Sequence, residues 1–425
     1  MANMRVELAG LALPNPILPG AGPLTATGVG AAAVAAVGAG GVVTRTVTPH
    51  PATGLTPHVE VRGGMLNVPR WSELPLEQWL AVEYPTARAA AQEAGIPLIA
   101  GIGYTAEDVA ALVPQIERFV DAFELSSMLA AAGKVVDPWT DAEAARRVPA
   151  DSPARNPAPL IAAIKTVKAA SAKPLFVKVN PLGGGEMADL ARQIEAAGAD
   201  GIVATNALGP VMAIDLETGR PSLGTPDGYG WLAGTSLKPL ALRCVFDIAR
   251  AVKIPVIGSG GIGRPEDAIE FLMAGASAVQ VTTAALKSGP RFYGQFAGRV
   301  EKWLDTHGYG AASDVIGLGI SRWESLQPHR FTVPVLYDVS DCIGCRLCEL
   351  SCHYDAIYMV PGQNKAGGGE IAEFNADRCF GCGLCVVRCP TDALLLPMLQ
   401  WDGIYLHPKK RVPVKPGMGS IKDAS

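Results

Sequence analysis

From residue 16 to about 286 the chain repeats one rhythm. A short, almost wholly apolar run bracketed by Gly, Pro or Asp is followed by a longer stretch whose apolar residues recur every three to four positions. Eight apolar runs read as strands: 16–21, 41–47, 97–103, 121–126, 174–180, 200–206, 255–259 and 278–283. Runs apolar on both faces suit parallel strands buried on both sides. The stretches 105–119, 157–171, 185–198, 237–252, 264–274 and 290–306 carry the helical period. Eight strand–helix units in this order predict an α/β fold, a (β/α)8 TIM barrel, with a doubly wound open sheet as the alternative. Three connections are long: 48–75, with a hairpin expected over His58–Asn67; 127–156, a lid candidate; and 207–236, ending in Gly234-Thr235-Ser236.

After residue 306 the rhythm stops. The expected organisation is a barrel over 1–306, a connector over 307–332, a small domain over 333–400 and a basic tail over 401–425. The small domain holds eight of the nine cysteines in two copies of one pattern. Cys342, Cys345, Cys348 and Cys352 form a C-x2-C-x2-C-x3-C run, and Cys379, Cys382, Cys385 and Cys389 repeat it 37 residues later. Gly344 with Gly381, Leu347 with Leu384, Asp355 with Asp392 and Ala356 with Ala393 follow the same offset. Pro390 follows the second run, and His353 takes that place in the first.

This is the spacing of a ferredoxin-like domain with two [4Fe–4S] clusters, in which the fourth cysteine of each run serves the other cluster. Cys342, Cys345, Cys348 and Cys389 are therefore expected to hold one cluster, and Cys379, Cys382, Cys385 and Cys352 the other. Structural zinc favours separated cysteine pairs, and disulfides need an oxidising compartment. Cys244 lies in an apolar helical stretch and reads as a core residue.

Composition narrows the partners. A net charge of −4 and a pI near 5.9 give no broad nucleic-acid footprint. No charge occurs between Glu7 and Arg45, but Pro14, Pro16, Pro19 and Pro23 break that stretch, so no membrane span and no export signal are expected. A cytoplasmic protein follows. The tail residues Lys409, Lys410, Arg411 and Lys415 read as a solvated basic segment.

In a TIM barrel the chemistry collects where strands end at their C-termini. That rule nominates Ala21, Gly22, Arg45, Glu124 to Ser127, Lys178, Asn180, Thr205, Asn206, Gly260, Gly261, Thr282 and Thr283. The run Gly258-Ser259-Gly260-Gly261-Ile262-Gly263 ends strand seven and opens a helix. It lets backbone amides approach a phosphate, with Thr282, Thr283, Gly234 and Ser236 able to join it. Clusters move single electrons, so a phosphorylated partner group that also handles hydride is required; FMN satisfies both needs.

The segments Leu66-Asn67, Glu124-Leu125-Ser126-Ser127, Phe176-Val177-Lys178, Ala204-Thr205-Asn206, Ala233 to Pro239 and Gly260-Gly261-Ile262 resemble the FMN barrel of the dihydroorotate dehydrogenase superfamily. With the two-cluster module, the chain is similar to the pyrimidine-reducing part of dihydropyrimidine dehydrogenase. The resemblance implies that Lys178 stands at the flavin N1/O2 edge, that Asn67, Thr205 and Asn206 bond the flavin or substrate ring, and that Gly234, Ser236, Gly260, Gly261, Thr282 and Thr283 surround ribityl and phosphate. It implies Ser127 as general acid/base. Three residues depart from the pattern: Arg45 replaces a lysine, Ser127 a cysteine and Glu124 a ring-reading asparagine.

These readings converge on an FMN- and iron–sulfur-dependent reductase of an activated C=C bond in a small cyclic polar molecule, akin to dihydropyrimidine dehydrogenase. Ser127 or Glu124 would move the proton, and Arg45 and Lys178 would stabilise negative charge. The alternatives are a related enzyme for a non-pyrimidine substrate and a non-catalytic electron-transfer subunit. No dinucleotide-binding unit is evident, so electrons should come from a partner: an FAD/NAD(P)H subunit or a ferredoxin, in a homo- or hetero-oligomer.

Overall fold

The computed structural model describes residues 1–53, 56–68, 70–127, 156–182, 186–223, 228–324, 336–337, 339–395, 400–401, 404–406 and 411–413. The lid candidate beyond Ser127 and most of the basic tail lie outside these. The chain divides into two compact units, Met1–Ser325 and Leu326–Ser425.

In the first unit all eight expected strands form: β1 (Ile17–Pro19), β2 (Val42–Val43), β3 (Leu98–Ile102), β4 (Ala122–Ser126), β5 (Leu175–Val179), β6 (Gly201–Ala204), β7 (Val256–Ser259) and β8 (Ala276–Val281). They make one parallel sheet in the order β1-β8-β7-β6-β5-β4-β3-β2. The Gly40 amide donates to Ile17 O at 2.7 Å, joining the ends of that order. The result is a TIM-like barrel. The helical layer is α1 (Gly28–Ala35), α2 (Tyr84–Ala94), α3 (Ala106–Ile116), α4 (Ala158–Ala170), α5 (Glu186–Ala196), α6 (Lys238–Ala251), α7 (Pro265–Met273) and α8 (Phe292–Thr306).

Local chemistry fixes the ends of these elements. At α3, Thr105 Oγ1 accepts from the Asp108 amide at 3.1 Å, while Asp108 Oδ2 accepts from the Thr105 amide at 3.0 Å. This reciprocal box satisfies donors that the first turn would otherwise leave open. Gly95 ends α2 in the left-handed region, at φ 65°. Every residue of β3, β4, β5, β6 and β7 is buried. Parallel strands roofed by helices have no wet face, so they lack the alternation of half-exposed strands. Cys244 is fully buried in α6.

Two features extend the barrel. The expected hairpin forms as His58–Val61 paired with Gly64–Asn67, and it joins Gly230–Ala233 and Leu208–Val211 in a four-stranded antiparallel sheet. Thus the long loops after β2 and β6, 170 residues apart at Ala233 and Gly63, build one sheet beside the strand ends. Residues 307–324, from the segment read as connector, pack on this unit. Ala312 and Val315 are fully buried in its core, and the Asn3 amide donates to Gly310 O at 2.7 Å. No helix among the described residues is long and apolar enough to cross a membrane.

In the second unit the sequence repeat becomes a backbone repeat. Gly344 and Gly381 both have φ 67°, Arg346 and Gly383 have 61° and 73°, and Asp355 and Asp392 have 50° and 56°. Each pair is 37 residues apart. Two short helices, Leu347–Leu350 and Leu384–Arg388, follow the same offset. A five-residue hairpin pairs Ile357–Pro361 with Glu370–Phe374. Arg411–Pro413 belongs to a separate three-stranded sheet; Lys409, Lys410 and Lys415 are outside the described residues.

Candidate active site and iron–sulfur module

A cavity of about 300 Å³ opens at the C-terminal ends of the barrel strands. Its lining comes from separate segments between Ala21 and Lys287, which is why no local stretch of sequence contains it. Ala21, Gly22, Arg45, Asn67, Lys178, Thr205, Asn206, Gly234, Gly260, Gly261, Thr282 and Thr283 all line it. Of the residues expected there, Ser236, Asn180 and Glu124 to Ser127 are not among the lining residues. The amide and hydroxyl of Ser236 donate to Gly63 O at 2.8 and 3.0 Å, tying its loop to the hairpin. Ser127 is fully buried; its amide donates to Lys178 O at 2.9 Å, and its hydroxyl has no hydrogen-bond partner among the described residues.

Glu124 is buried beside the cavity. Its Oε1 lies 3.4 Å from Lys178 Nζ, and its Oε2 accepts from Gln280 Nε2. Lys178 Nζ also donates to Gln280 Oε1 at 2.7 Å. The three side chains come from β4, β5 and β8 and form a closed set, each bonded to the other two. A buried ion pair persists only when further hydrogen bonds satisfy it, and Gln280 supplies one donor and one acceptor. Gln280 also lines the cavity. The sequence carried a signal for it: a lone amide inside the apolar run of strand eight.

The glycines of the cavity lining form a cradle. Gly260 and Gly261 have φ 113° and 85°. A Cβ at Gly261 would lie 2.5 Å from the Lys238 amide nitrogen, and one at Gly234 would lie 2.7 Å from Gly64 Cα. Only glycine fits this close approach. Among the described residues, the amides of Gly260, Gly261 and Ile262 donate to no protein carbonyl. The loop is braced by Asp267, whose Oδ2 accepts from the Gly263 and Arg264 amides at 2.9 and 2.8 Å and whose Oδ1 accepts from Lys238 Nζ at 2.7 Å. Burial pushes the Asp267 carboxyl upward, but the Lys238 and amide hydrogen bonds outweigh it and hold the group below the usual carboxylate range.

The near wall is cationic and polar. Arg45 is buried and pairs with Glu73 at 3.2 Å. Arg45 Nε and Asn67 Oδ1 are buried without a hydrogen-bond partner among the described residues. Sequence reasoning missed Arg70, His58, Glu60 and Lys287, which also line the cavity. Only the antiparallel hairpin brings His58 and Glu60 there, and loop residues carry no periodic signal.

The eight thiols separate into two groups. Cys342, Cys345, Cys348 and Cys389 line one small cavity; Cys352, Cys379, Cys382 and Cys385 line another. Each group joins three cysteines of one run to the fourth of the other. The Ala356 and Ala393 amides each donate to sulfur, of Cys352 and Cys389, at 3.3 Å. Burial pushes the Cys348 thiol up to about 11 and the Cys385 thiol up to about 12, so these sulfurs keep their protons unless a cation displaces them.

Fold and cavities together define a barrel oxidoreductase with an attached cluster-binding module. The family model described as dihydroorotate dehydrogenase matches residues 3–304, and that of a 4Fe–4S dicluster domain matches residues 341–393. The chain belongs to the dihydroorotate dehydrogenase family, which comprises flavin-dependent oxidoreductases acting on CH–CH groups. It is 30% identical over 325 residues to the catalytic subunit of dihydroorotate dehydrogenase B (NAD(+)) of Methanothermobacter thermautotrophicus, covering 74% of this chain and 98% of the relative. The subunit of the same description from Pyrococcus furiosus is 33% identical over 320 residues, with 74% and 98% covered. That from Geobacillus kaustophilus is 35% identical over 324 residues, with 75% and 96% covered. About a quarter of this chain lies beyond these alignments.

Proposed function

We propose that this chain interconverts a CH–CH bond and a C=C bond in a small cyclic substrate in the barrel, and exchanges the electrons singly with a partner protein through two [4Fe–4S] clusters. The observation that carries the reading is the joining, in one polypeptide, of the family's barrel cavity with two four-cysteine cavities. Among the described residues, no three His, Cys, Asp or Glu side chains come together as ligands of a single metal ion. Sulfurs gathered four to a cavity but spread wider than one ion suit polynuclear clusters.

The barrel cavity fits FMN. The unused amides and glycine cradle at Gly260 and Gly261, with Gly234, Thr282 and Thr283, suit a phosphate and ribityl chain. Asn67 Oδ1, buried and unpartnered, suits a ring N–H. Lys178, held by Glu124 and Gln280, places a positive charge at the cavity floor for the pyrimidine edge of the flavin. Ala21, Gly22, Thr205 and Asn206 complete the ring site, and Ser236 contributes by anchoring its loop. When bound, FMN supplies hydride exchange with carbon and single-electron exchange with the clusters.

For the substrate, Arg45 and Arg70 give the near wall a cationic character that suits a carboxylate. Dihydroorotate, named in the descriptions of the relatives, is therefore our first candidate, ahead of the neutral dihydropyrimidines suggested by the sequence pattern. The relatives are described as catalytic subunits, which supports a separate electron-transfer partner for this chain as well. Glu124 acts as counter-ion to Lys178, and Ser127, buried with its hydroxyl unpartnered among the described residues at the end of β4, remains the candidate for moving the proton.

The test is anaerobic stopped-flow on protein carrying FMN and iron. Dihydroorotate should bleach the oxidised flavin, and orotate should reoxidise the photoreduced protein. A flavin that responds to neither of these, nor to dihydrouracil and uracil, would sink the reading.

A further inference from the structure

We infer that the two clusters are electronically unequal, and that Arg346 and Thr391 make the one held by Cys342, Cys345, Cys348 and Cys389 the first to take an electron. The inference rests on the two-cluster reading above.

The sequence repeat supplies an internal control. Residues 37 apart occupy matching places around the two small cavities. Cys342, Cys345, Cys348 and Cys389 of one answer to Cys379, Cys382, Cys385 and Cys352 of the other. Two amide donors match as well: Ala393 donates to Cys389 Sγ and Ala356 to Cys352 Sγ, both at 3.3 Å. The ligands and these backbone bonds therefore cancel when the two sites are compared. Three matched lining pairs differ in size or polarity: Ile343 and Phe380, Arg346 and Gly383, Thr391 and Tyr354.

Arg346 stands in the left-handed region at φ 61°, and its counterpart Gly383 at 73°. Glycine adopts that backbone freely, whereas a side chain is strained there. A strained residue at a redox site points to a role for its side chain. Arg346 lines the cluster cavity, with Nε 2.9 Å from Glu349 Oε2 and Nη1 3.5 Å from Glu370 Oε2. Glu349 is itself anchored, its Oε1 accepting from the Met359 amide at 3.3 Å. The helix Leu347–Leu350 and the hairpin thus clamp the guanidinium between them. The two carboxylates offset part of its charge, and half of the side chain is in water, so its field at the cluster is modest.

Thr391 contributes a hydrogen bond. Its Oγ1 lies 3.7 Å from Cys389 Sγ. A cluster ligand is a thiolate and only accepts, so the hydroxyl must then donate. The matching place after Cys352 holds Tyr354, whose ring lies 4.6 Å from that of Phe380 in the lining of the second cavity. Reduction adds one electron and one negative charge to a cluster and transfers no atom. A nearby cation and a hydroxyl on sulfur stabilise that added charge; aromatic rings in their place displace the water that would do so. An electron delivered by the partner or the flavin therefore settles on the Cys342, Cys345, Cys348 and Cys389 cluster before its twin.

The experiment is a potentiometric titration of the whole protein, followed by low-temperature EPR, on the wild type, Arg346→Gly, Arg346→Lys and Thr391→Val. Iron analysis of each comes first, and about eight irons per chain are expected. Arg346→Gly reproduces the residue of the matching site and relieves the left-handed strain, so the fold is not at risk. The wild type should show two midpoints. Arg346→Gly and Thr391→Val should each lower the higher one and leave the lower one in place. The reduced-to-oxidised ratio of that cluster at a fixed potential should change by about two- to fivefold, or about 18–41 mV at about 59 mV per decade. Arg346→Lys, which keeps the charge, should stay near the wild type. A single shared midpoint in the wild type overturns the inference, as does a shift confined to the lower midpoint or no shift in either variant. Full iron content with unmoved midpoints overturns this inference alone; a wild-type chain that binds only one cluster overturns the two-cluster reading with it.

Discussion

The barrel cavity and the cysteine module solve the same problem, holding a redox group, at opposite extremes of sequence range. In the module, six spacings inside two short runs and one repeat offset specify almost everything: which thiols group together, and which backbone positions turn left-handed. In the barrel, the Lys178–Glu124–Gln280 set draws on strands whose members are up to 156 residues apart. A local site tolerates being read as a motif. A distributed one exists only when the sheet order brings its parts together. The two should therefore break differently.

The largest expected effect falls on the crossing cysteines. Cys389→Ser should remove the cluster that shares a cavity with Cys342, Cys345 and Cys348, cutting bound iron by roughly half while FMN in the barrel is retained. Iron analysis and low-temperature EPR check this. Loss of the other cluster would show that the fourth thiols do not cross.

Next comes the distributed set. Lys178→Met leaves Glu124 charged and unpaired in the barrel, which should destabilise the protein by about 3–5 kcal/mol. Adding Glu124→Gln should recover much of that loss in denaturant titrations. Additive losses would mean that the pair is not coupled.

Gly261→Ala should cost about 1–3 kcal/mol, since an L side chain is strained at its left-handed φ and meets the Lys238 amide. Its FMN affinity should fall in fluorescence titrations, with the iron content untouched. Normal FMN binding would remove the cradle from the cofactor site.

The smallest effect is pH-dependent. Asp267 has a depressed pKa in the folded state, so its contribution is present above the unfolded value of 3.8 and fades as pH falls through the folded one. Asp267→Asn should lower stability by about 0.5–2 kcal/mol at neutral pH, mainly through the lost cap. The gap from wild type should close in acid. A gap constant down to pH 2–3 would contradict the assigned depression.

Much of this was legible before folding. Val256–Ser259 and Leu175–Val179, apolar except for Ser259 and Lys178, are buried throughout because both faces are covered, and that pattern predicts buried parallel strands. Gly260 and Gly261 announced a close backbone approach because no other residue adopts their φ without strain. His58 and Arg70 gave no such signal. Their place on the cavity lining depends on how the long loop after β2 folds, and that loop's own sequence does not say what it faces. Glu124 and Ser127 show a related limit: adjacency to a strand end nominates both, but only the fold shows Glu124 bonded to Lys178 and Gln280 and Ser127 fully buried.

By itself, then, the amino-acid order determined the eight-fold strand–helix rhythm, the paired cysteine runs and the glycine turns, because each is set by neighbours a few residues away. Only the three-dimensional arrangement decided that Lys178 shares its charge with Glu124 and Gln280, that Ser236 braces a loop, and that His58 reaches the cavity. Those outcomes depend on which strands lie side by side. That in turn is fixed by closure of the whole sheet and burial of its core, which no short segment encodes.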